Sequence, residues 1–186
     1  MSNVLGIVGS PRKNGNTYIL VSKILEGAKE QGATVEIIFL GELSIRQCDG
    51  CYACWHGSEC SKRDDMNKIY QKINQADALV LGTPVYWYNV SALMKGFIDR
   101  FVYYNCEQNR VKVKEKNVVL AIPFEDQTME TVIPVVQFFE RSLQYLEMNL
   151  SDKVIAEGIS KKGEISERKD LLEYAFLIGQ KMVKEE

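Results

Sequence analysis

The apolar residues of this chain are arranged in two different patterns, short continuous runs and a repeat of three or four positions. Short, nearly continuous apolar runs, typical of strands buried on both faces of a parallel sheet, predict five strands at residues 4–9, 34–40, 78–83, 118–122 and 154–157. Between these runs, apolar residues recur every three or four positions, which predicts helices over residues 17–31, 64–76, 91–103, 129–146 and 164–184. Strands that alternate with helices indicate an α/β fold with a doubly wound parallel sheet.

Local signals support several of these boundaries. Gly32 is placed to end the first helix, and Asp64 and Ser91 are placed to cap the second and third. Pro134 falls in the first turns of the fourth helix, where its missing N–H costs nothing. Residues 105–116 are polar and predict an excursion between a helix and a strand.

Length and composition indicate one globular domain over residues 1–186, because 46% of the residues are hydrophobic and 26% are charged. A net charge of −2 argues against a nucleic-acid partner. The apolar runs are too short to span a membrane, and Gly6, Gly9 and Pro11 interrupt any secretory signal. We therefore expect a cytoplasmic protein with reduced thiols.

The first strand leads into a polar segment, residues 10–16, that ends where the first helix begins; we refer to it as the anion loop. A helix N-terminus offers free N–H groups and the positive end of the dipole, so it suits a phosphate. Side-chain donors are present at Ser10, Asn14, Asn16 and Thr17. A well-capped hydrophilic turn without a ligand is the alternative interpretation.

Two common nucleotide motifs do not fit this loop. The dinucleotide pattern G-x-G-x-x-G is absent, and Gly15-Asn16-Thr17 lacks the lysine of the Walker A motif. A longer loop rich in hydroxyl and amide groups suits a terminal phosphomonoester, such as that of flavin mononucleotide (FMN).

A second loop, residues 83–90, carries three consecutive aromatic residues directly after the third strand; we refer to it as the aromatic loop. Pro84 stiffens its backbone, and aromatic faces can flank a planar heterocycle. A hydrophobic plug or a subunit contact is the alternative, and the two interpretations are compatible. All βα loops of a parallel sheet lie at its carboxyl edge, so both loops are expected at one ligand site.

The cysteine loop, residues 41–63, lies at the same edge and contains C-x2-C-x2-C-x5-C, formed by Cys48, Cys51, Cys54 and Cys60. Three thiolates two residues apart can wrap around a small inorganic cluster, and a fourth can close it. Zinc, or a thiol loop without metal, are the alternatives. Cys106 stands apart and is interpreted as a partly buried small side chain.

Three segments, GSPRKNGNT, GTPVYWYNVSALMKGFIDR and CDGCYACWHGSEC, resemble the NADPH-dependent FMN reductase family of flavodoxin-like proteins, and the third resembles its iron–sulfur flavoprotein branch. The resemblance implies a five-stranded sheet of order 2-1-3-4-5 with helices on both faces. It implies that the FMN phosphate and ribityl chain are bound by Ser10, Arg12, Asn14, Asn16 and Thr17. It also implies that the flavin ring is lined by Pro84, Val85, Tyr86 and Trp87, and that a 4Fe-4S cluster is held by the four clustered cysteines.

By the same resemblance, the protein is expected to be an FMN-dependent oxidoreductase that takes electrons from NAD(P)H and reduces a small-molecule redox substrate. The alternative is a non-enzymatic electron carrier that relays electrons between FMN, the cluster and partners such as a ferredoxin-like donor. Extended loops and exposed aromatics fit a homodimer or homotetramer. A phosphotyrosine-type phosphatase is disfavoured, because the anion loop contains no cysteine.

The chain departs from the family pattern after its fourth strand. A glycine-containing loop is common there, whereas this chain has Pro123-Phe124-Glu125-Asp126-Gln127-Thr128. A carboxylate of Glu125 or Asp126 near the pyrimidine end would disfavour the anionic reduced flavin. This remains a hypothesis about one edge of the site.

Overall fold

Five parallel strands form the centre of the molecule in a computed structural model that describes residues 2–56 and 59–183. The strands of this sheet and of a separate hairpin are, in chain order, β1 (Asn3–Val8), β2 (Thr34–Phe39), β3 (Ala78–Gly82), β4 (Val85–Tyr86), β5 (Asn89–Val90), β6 (Asn117–Pro123) and β7 (Asn149–Ala156). The sheet has the order β2-β1-β3-β6-β7, and β4 and β5 form a separate antiparallel hairpin. Because β6 and β7 are the fourth and fifth strands of the sheet, the predicted flavodoxin-like order is confirmed.

Helices cover both faces of this sheet. They are α1 (Asn16–Glu30), α2 (Met66–Gln75), α3 (Ala92–Asp99), α4 (Glu107–Arg110), α5 (Ile133–Tyr145) and α6 (Lys169–Met182). One apolar core joins the sheet to α2, α3 and α5, and the other joins it to α1 and α6. Gly27 and Gly179 let α1 and α6 approach closely, since a Cβ on Gly179 would lie 1.9 Å from the carbonyl oxygen of Ile24. No helix within the described ranges is long and apolar enough to cross a lipid bilayer.

The last strand differs most from the sequence-based expectation. It begins at Asn149 rather than at residue 154, and its first half alternates between exposed and half-buried residues. This half contains the polar residues Ser151, Asp152 and Lys153, so it does not form the apolar run by which the other strands were predicted. β7 pairs with β6 and forms one edge of the sheet, so one side of it does not require apolar residues.

Several helix boundaries also shift. The predicted 91–103 helix is α up to Asp99 and continues as a 3-10 helix over Arg100–Asn105. The predicted 129–146 helix opens with a separate 3-10 turn, Met129–Thr131, and Pro134 lies in the first turn of α5 as expected. α6 is preceded by the 3-10 turn Glu164–Glu167, and residue 184 of the predicted last helix lies outside the described residues.

Buried hydrogen bonds fix the carboxyl ends of the two central strands relative to each other. The Gly9 N–H donates to the Gly82 carbonyl at 2.8 Å. Ser91 caps α3 as predicted, because its Oγ accepts the Met94 N–H at 3.1 Å, and the same hydroxyl donates to the Gly9 carbonyl. The Ser91 N–H donates to Thr83 Oγ1 at 3.1 Å. The anion loop and the aromatic loop therefore start from one rigid, buried junction.

Candidate functional site

A cleft opens at the carboxyl edge of the sheet, where loops from four strands meet. We refer to it as the strand-end cleft. It is lined by Ser10, Arg12, Asn16, Thr17, Pro84, Val85, Tyr86, Pro123, Phe124, Glu125, Ile159 and Ser160. Seven of these are predicted site residues, contributed by the anion loop with Thr17 and by the aromatic loop. The topology thus brings the two loops together as the strand order requires.

The anion loop ends in an open helix N-terminus. Gly15 is the N-cap residue of α1 and makes no side-chain capping bond, so it does not occupy the N–H groups of the first turn. That turn begins Asn-Thr-Tyr and carries no carboxylate that would repel an anion. Ser10 and Thr17 are buried, at 4% and 2% exposure, and both line the cleft. Two hydroxyl groups and the helix dipole therefore converge on one small region.

Other polar side chains of the anion loop are held by the chain itself. The Asn16 Nδ2 donates to the Lys161 carbonyl at 2.8 Å, and its Oδ1 accepts the Ile165 N–H at 3.3 Å. Arg12 Nη1 donates to the Ser160 carbonyl at 3.3 Å. These bonds attach the loop to the segment after β7, so Asn16 and Arg12 shape the cleft wall. Asn14 is exposed, has a left-handed backbone (φ 53°) and does not line the cleft.

The aromatic loop forms the β4–β5 hairpin, and its three aromatic residues differ in position. Tyr86 lies in the cleft wall beside Pro84 and Val85. Trp87 and Tyr88 form the two-residue turn of the hairpin, with φ values of 51° and 59°, a conformation that usually selects Asn or Gly. Trp87 is 95% exposed and does not line the cleft in this chain. Its predicted contact with the ring remains a prediction.

Two parts of the cleft wall come from the last two strands of the sheet. Phe124 and Glu125 follow β6, in the segment where the sequence departs from the glycine-containing loop that the resemblance leads one to expect. The Asp126 carboxylate accepts the Thr131 hydroxyl at 2.7 Å, so of the two acidic residues it is Glu125 that lines the cleft. Ile159 and Ser160, which follow β7, were missed by motif reasoning, although the rule that ligands lie at strand carboxyl ends applies to β7 as well.

The cysteine loop leaves β2 and is closed at its base. The Asp64 Oδ2 accepts the Arg46 N–H at 2.9 Å, and the Asp65 Oδ2 accepts the Ser44 N–H at 2.8 Å. The loop root also reaches the anion loop, since Lys13 forms an ion pair with Glu42. Residues 57 and 58 of the cysteine loop lie outside the described residues.

The four clustered cysteines are free thiols in different surroundings. Cys54 is buried, Cys48 and Cys60 are half-buried, and Cys51 is exposed. Burial, followed by the nearby Cys60 thiol, raises the pKa of Cys54 to about 11. Within residues 2–56 and 59–183, His, Cys, Asp and Glu side chains do not converge into a group arranged to hold a metal ion. Cys106 is half-buried, as predicted, and its Sγ lies 3.7 Å from the Cys54 carbonyl oxygen.

The chemistry of both regions can be compared with the groups that they are predicted to hold. The strand-end cleft offers hydroxyls and an uncapped helix N-terminus for a phosphate, and an aromatic and aliphatic wall for a planar ring, so its residues fit FMN. The cysteine loop offers four soft sulfur ligands within thirteen residues, from Cys48 to Cys60, a donor set that suits an iron–sulfur cluster.

Comparisons with known proteins agree with this geometry. A family model described as NADPH-dependent FMN reductase matches residues 2–153. An iron–sulfur flavoprotein of Archaeoglobus fulgidus is 45% identical over 97 residues, which cover 52% of this chain and 47% of that protein. This chain therefore spans about half the length of the iron–sulfur flavoproteins that it matches.

Two further matches extend over most of the chain. A putative NAD(P)H-dependent FMN-containing oxidoreductase of Bacillus subtilis, YwqN, is 27% identical over 165 residues, covering 86% of each protein. The structure of an NAD(P)H:quinone oxidoreductase from Methanothermobacter marburgensis superposes with a TM-score of 0.78 at 20% identity, covering 100% of this chain and 98% of that one. At this identity, the superposition supports the fold.

Proposed function

Because the chain belongs to the NADPH-dependent FMN reductase family, we propose that it is an FMN-dependent oxidoreductase that takes electrons from NAD(P)H and passes them to a small-molecule acceptor such as a quinone, a nitro compound or free flavin. The observation that carries this proposal is the convergence of an uncapped helix N-terminus, two buried hydroxyls and a hydrophobic wall in one cleft. The relative YwqN, named as an FMN-containing oxidoreductase, supports the same class.

The residues of the cleft have distinct tasks in this proposal. Ser10, Thr17 and the first N–H groups of α1 bind the phosphate, and Arg12 and Asn16 hold the loop in place through the segment after β7. Pro84, Val85 and Tyr86 orient the ring through its face. The bound flavin supplies the two-electron chemistry, and the protein supplies binding, orientation and a tuned electrostatic environment.

The cysteine loop extends the proposal to a second redox centre. Cys48, Cys51, Cys54 and Cys60 would hold a 4Fe-4S cluster, as the names of the relatives suggest, and FMN and cluster would then share one edge of the sheet. Zinc in the same thiols is the competing occupant. The exposed Trp87 and Tyr88 fit a homodimer or homotetramer in which this edge meets a second copy.

A specific observation favours a second candidate function, that of an electron carrier. The cysteine loop is joined to the anion loop through the Lys13–Glu42 ion pair, so a cluster held there would lie on the side of the molecule that holds FMN. Such a protein would relay single electrons from a ferredoxin-like donor to a partner and would need no binding site for NAD(P)H.

Anaerobic stopped-flow reduction separates the two functions. An oxidoreductase requires rapid bleaching of flavin absorbance by NADPH or NADH, followed by rapid reoxidation by a quinone. Slow bleaching by both nucleotides, with fast reduction by reduced ferredoxin, would contradict the enzyme and support the carrier. Iron, sulfide, zinc and FMN assays on the same sample identify the occupants of both sites, and absence of bound FMN after reconstitution would overturn both functions.

A further inference from the structure

A buried arginine lies beneath the cysteine loop and contacts one of its thiols. Arg100 begins the 3-10 helix after α3, and its side chain is 1% exposed. Its Nη1 donates to the Arg46 carbonyl at 2.8 Å and to Asp64 Oδ2 at 2.6 Å. Its Nη2 donates to Asp64 Oδ1 at 3.3 Å and to Cys60 Sγ at 3.2 Å. The guanidinium thus joins both sides of the loop's base to a cysteine near its end.

The charge of Arg100 is balanced without the cysteine. The Asp64 side chain is 3% exposed, and its carboxylate also accepts the N–H groups of Arg46 and Met66. A buried ion pair of this kind requires well-directed hydrogen bonds to offset desolvation. The Tyr70 hydroxyl donates to the Arg100 carbonyl at 2.8 Å, which fixes the backbone from which the side chain extends. The position of the guanidinium is therefore set independently of Cys60.

The contact with Cys60 is the part of this network that the ion pair does not explain. A thiol sulfur is a weak acceptor, whereas a thiolate or a metal-bound sulfur is a good acceptor for a charged N–H donor. Cys51 has a different neighbour, the Ser61 hydroxyl at 3.2 Å, on the exposed side of the loop. The four thiols are thus unequal, and the cationic donor is directed at Cys60.

We infer that Arg100 is a positioning residue for the metal centre: it holds the Cys60 sulfur in place as a ligand and donates an N–H···S hydrogen bond to it. The inference rests on the proposed cluster. Hydrogen bonds to cluster sulfurs are among the factors that set reduction potential. A donor directed at sulfur stabilises the reduced cluster, which carries more negative charge, so this bond raises the cluster's potential.

Lysine in place of Arg100 tests the inference, because Arg100→Lys keeps the positive charge but removes the planar fork that contacts Asp64 and Cys60 together. The matched control is Arg63→Lys, the same change at an exposed arginine of the same loop. After anaerobic reconstitution with iron and sulfide, we expect R100K to show a more negative cluster midpoint potential and about tenfold faster iron loss to a chelator, the effect of one charge-assisted hydrogen bond. R63K and the FMN content of both variants should match the unaltered protein.

A measurement on the unaltered protein covers the case in which R100K does not fold. With arginine labelled with ¹⁵N, pulsed EPR of the reduced cluster should show ¹⁵N coupling from a guanidinium nitrogen. Absence of this coupling, or an R100K cluster with unchanged potential and iron retention, would overturn the role of Arg100 while the cluster stands. Failure of the unaltered protein to bind iron would instead overturn the cluster, and the role of Arg100 with it.

Discussion

The strand-end cleft and the cysteine loop lie at one edge of the same sheet, yet they are built differently. The cleft is lined by residues at the ends of β1, β3, β6 and β7, whose backbones are paired within the sheet, and its two key hydroxyls are buried. The cysteine loop leaves the edge strand β2 and is closed by Asp64, Asp65 and Arg100. Sheet topology positions the cleft, whereas the buried Arg100–Asp64 ion pair and hydrogen bonds from backbone N–H groups to Asp64 and Asp65 position the base of the loop.

Because the cleft and the cysteine loop are built differently, we expect different substitutions to affect each of them. Removing a contact from the cleft should weaken FMN binding and leave the thiol site intact. Removing a contact from the loop base should disturb the thiol site and the stability of the chain, because the loop base packs on α2 and the segment after α3.

The largest effect is expected from Asp64→Asn, which leaves the buried Arg100 without its counter-charge. We expect a loss of about 3–5 kcal/mol in the free energy of unfolding at pH 7, the usual cost of breaking a buried ion pair from one side. Chemical denaturation of the metal-free chain measures this loss. Asp49→Asn is the matched control, because it removes an ion pair with Lys62 whose carboxylate is exposed to solvent, and it should change stability far less than Asp64→Asn.

The same pair should make stability depend on pH. Burial raises the pKa of Asp64, but the hydrogen bonds from Arg100 and from the Arg46 N–H outweigh it, and the pKa lies below the usual 3.8. A carboxylate with a lowered folded-state pKa contributes stability above its unfolded value and loses that contribution as the pH falls through the folded value. The stability difference between the unaltered chain and D64N should therefore shrink below pH 3.8, and a constant difference there would contradict the ion pair.

The next largest effect is expected on FMN affinity, when hydroxyl groups that would bind the phosphate are removed. Ser10→Ala combined with Thr17→Val removes two buried hydroxyls from the cleft. Each hydrogen bond to a charged group contributes about 1.5 kcal/mol or more, so FMN affinity should fall by about a hundredfold. Fluorescence quenching of FMN measures this. Thr34→Val, at an exposed position on β2, is the control, and normal affinity in the double variant would place the phosphate elsewhere.

A smaller effect on FMN affinity should distinguish the neighbouring residues Tyr86 and Trp87. Tyr86→Ala removes part of the cleft wall and should weaken FMN binding by about threefold to tenfold, the range of an aromatic contact. Trp87→Ala changes a residue that is 95% exposed at the hairpin turn and should leave the affinity of a single chain within about twofold. Equal losses would show that Trp87 moves onto the ring when FMN binds.

The smallest effect is expected from Glu125→Gln. Glu125 lines the cleft, and its negative charge would disfavour the anionic reduced flavin, so removing that charge should raise the FMN midpoint potential. Asp126→Asn is the natural comparison, because the Asp126 carboxylate accepts the Thr131 hydroxyl instead. A spectroelectrochemical titration that gave the same potential for E125Q and the unaltered protein would remove Glu125 from the electrostatics of the ring.

Sequence patterns predict the cleft better than the loop for a physical reason. Apolar runs identify the central strands, and the parallel topology then places their loops together without any knowledge of side-chain contacts. The first half of β7 contains no apolar run and was not predicted, because an edge strand can carry polar residues such as Asp152. The Arg100–Asp64 pair joins residues 36 positions apart, so it was not evident from local motifs even though both residues were visible in the sequence.

The contacts of individual side chains in the anion loop likewise could not all be predicted from the sequence. Motif resemblance assigns Asn16 to the phosphate, but the structure uses both polar atoms of its amide to hold the segment after β7. The order of apolar and polar residues does not reveal such a bond across about 145 residues of sequence. It does place Ser10 and Thr17 at the start of a helix, and the structure brings both to the cleft.

Independent occupation of the strand-end cleft by FMN, without help from the cysteine loop, is the central expectation for this protein. Its most direct test is an FMN titration of the metal-free chain beside the variant in which Cys48, Cys51, Cys54 and Cys60 are all replaced by serine. We expect saturable binding of one FMN per chain with the same affinity in both proteins. Absence of saturable binding in the unaltered chain, or its loss in the serine variant, would show that the cleft does not bind FMN on its own.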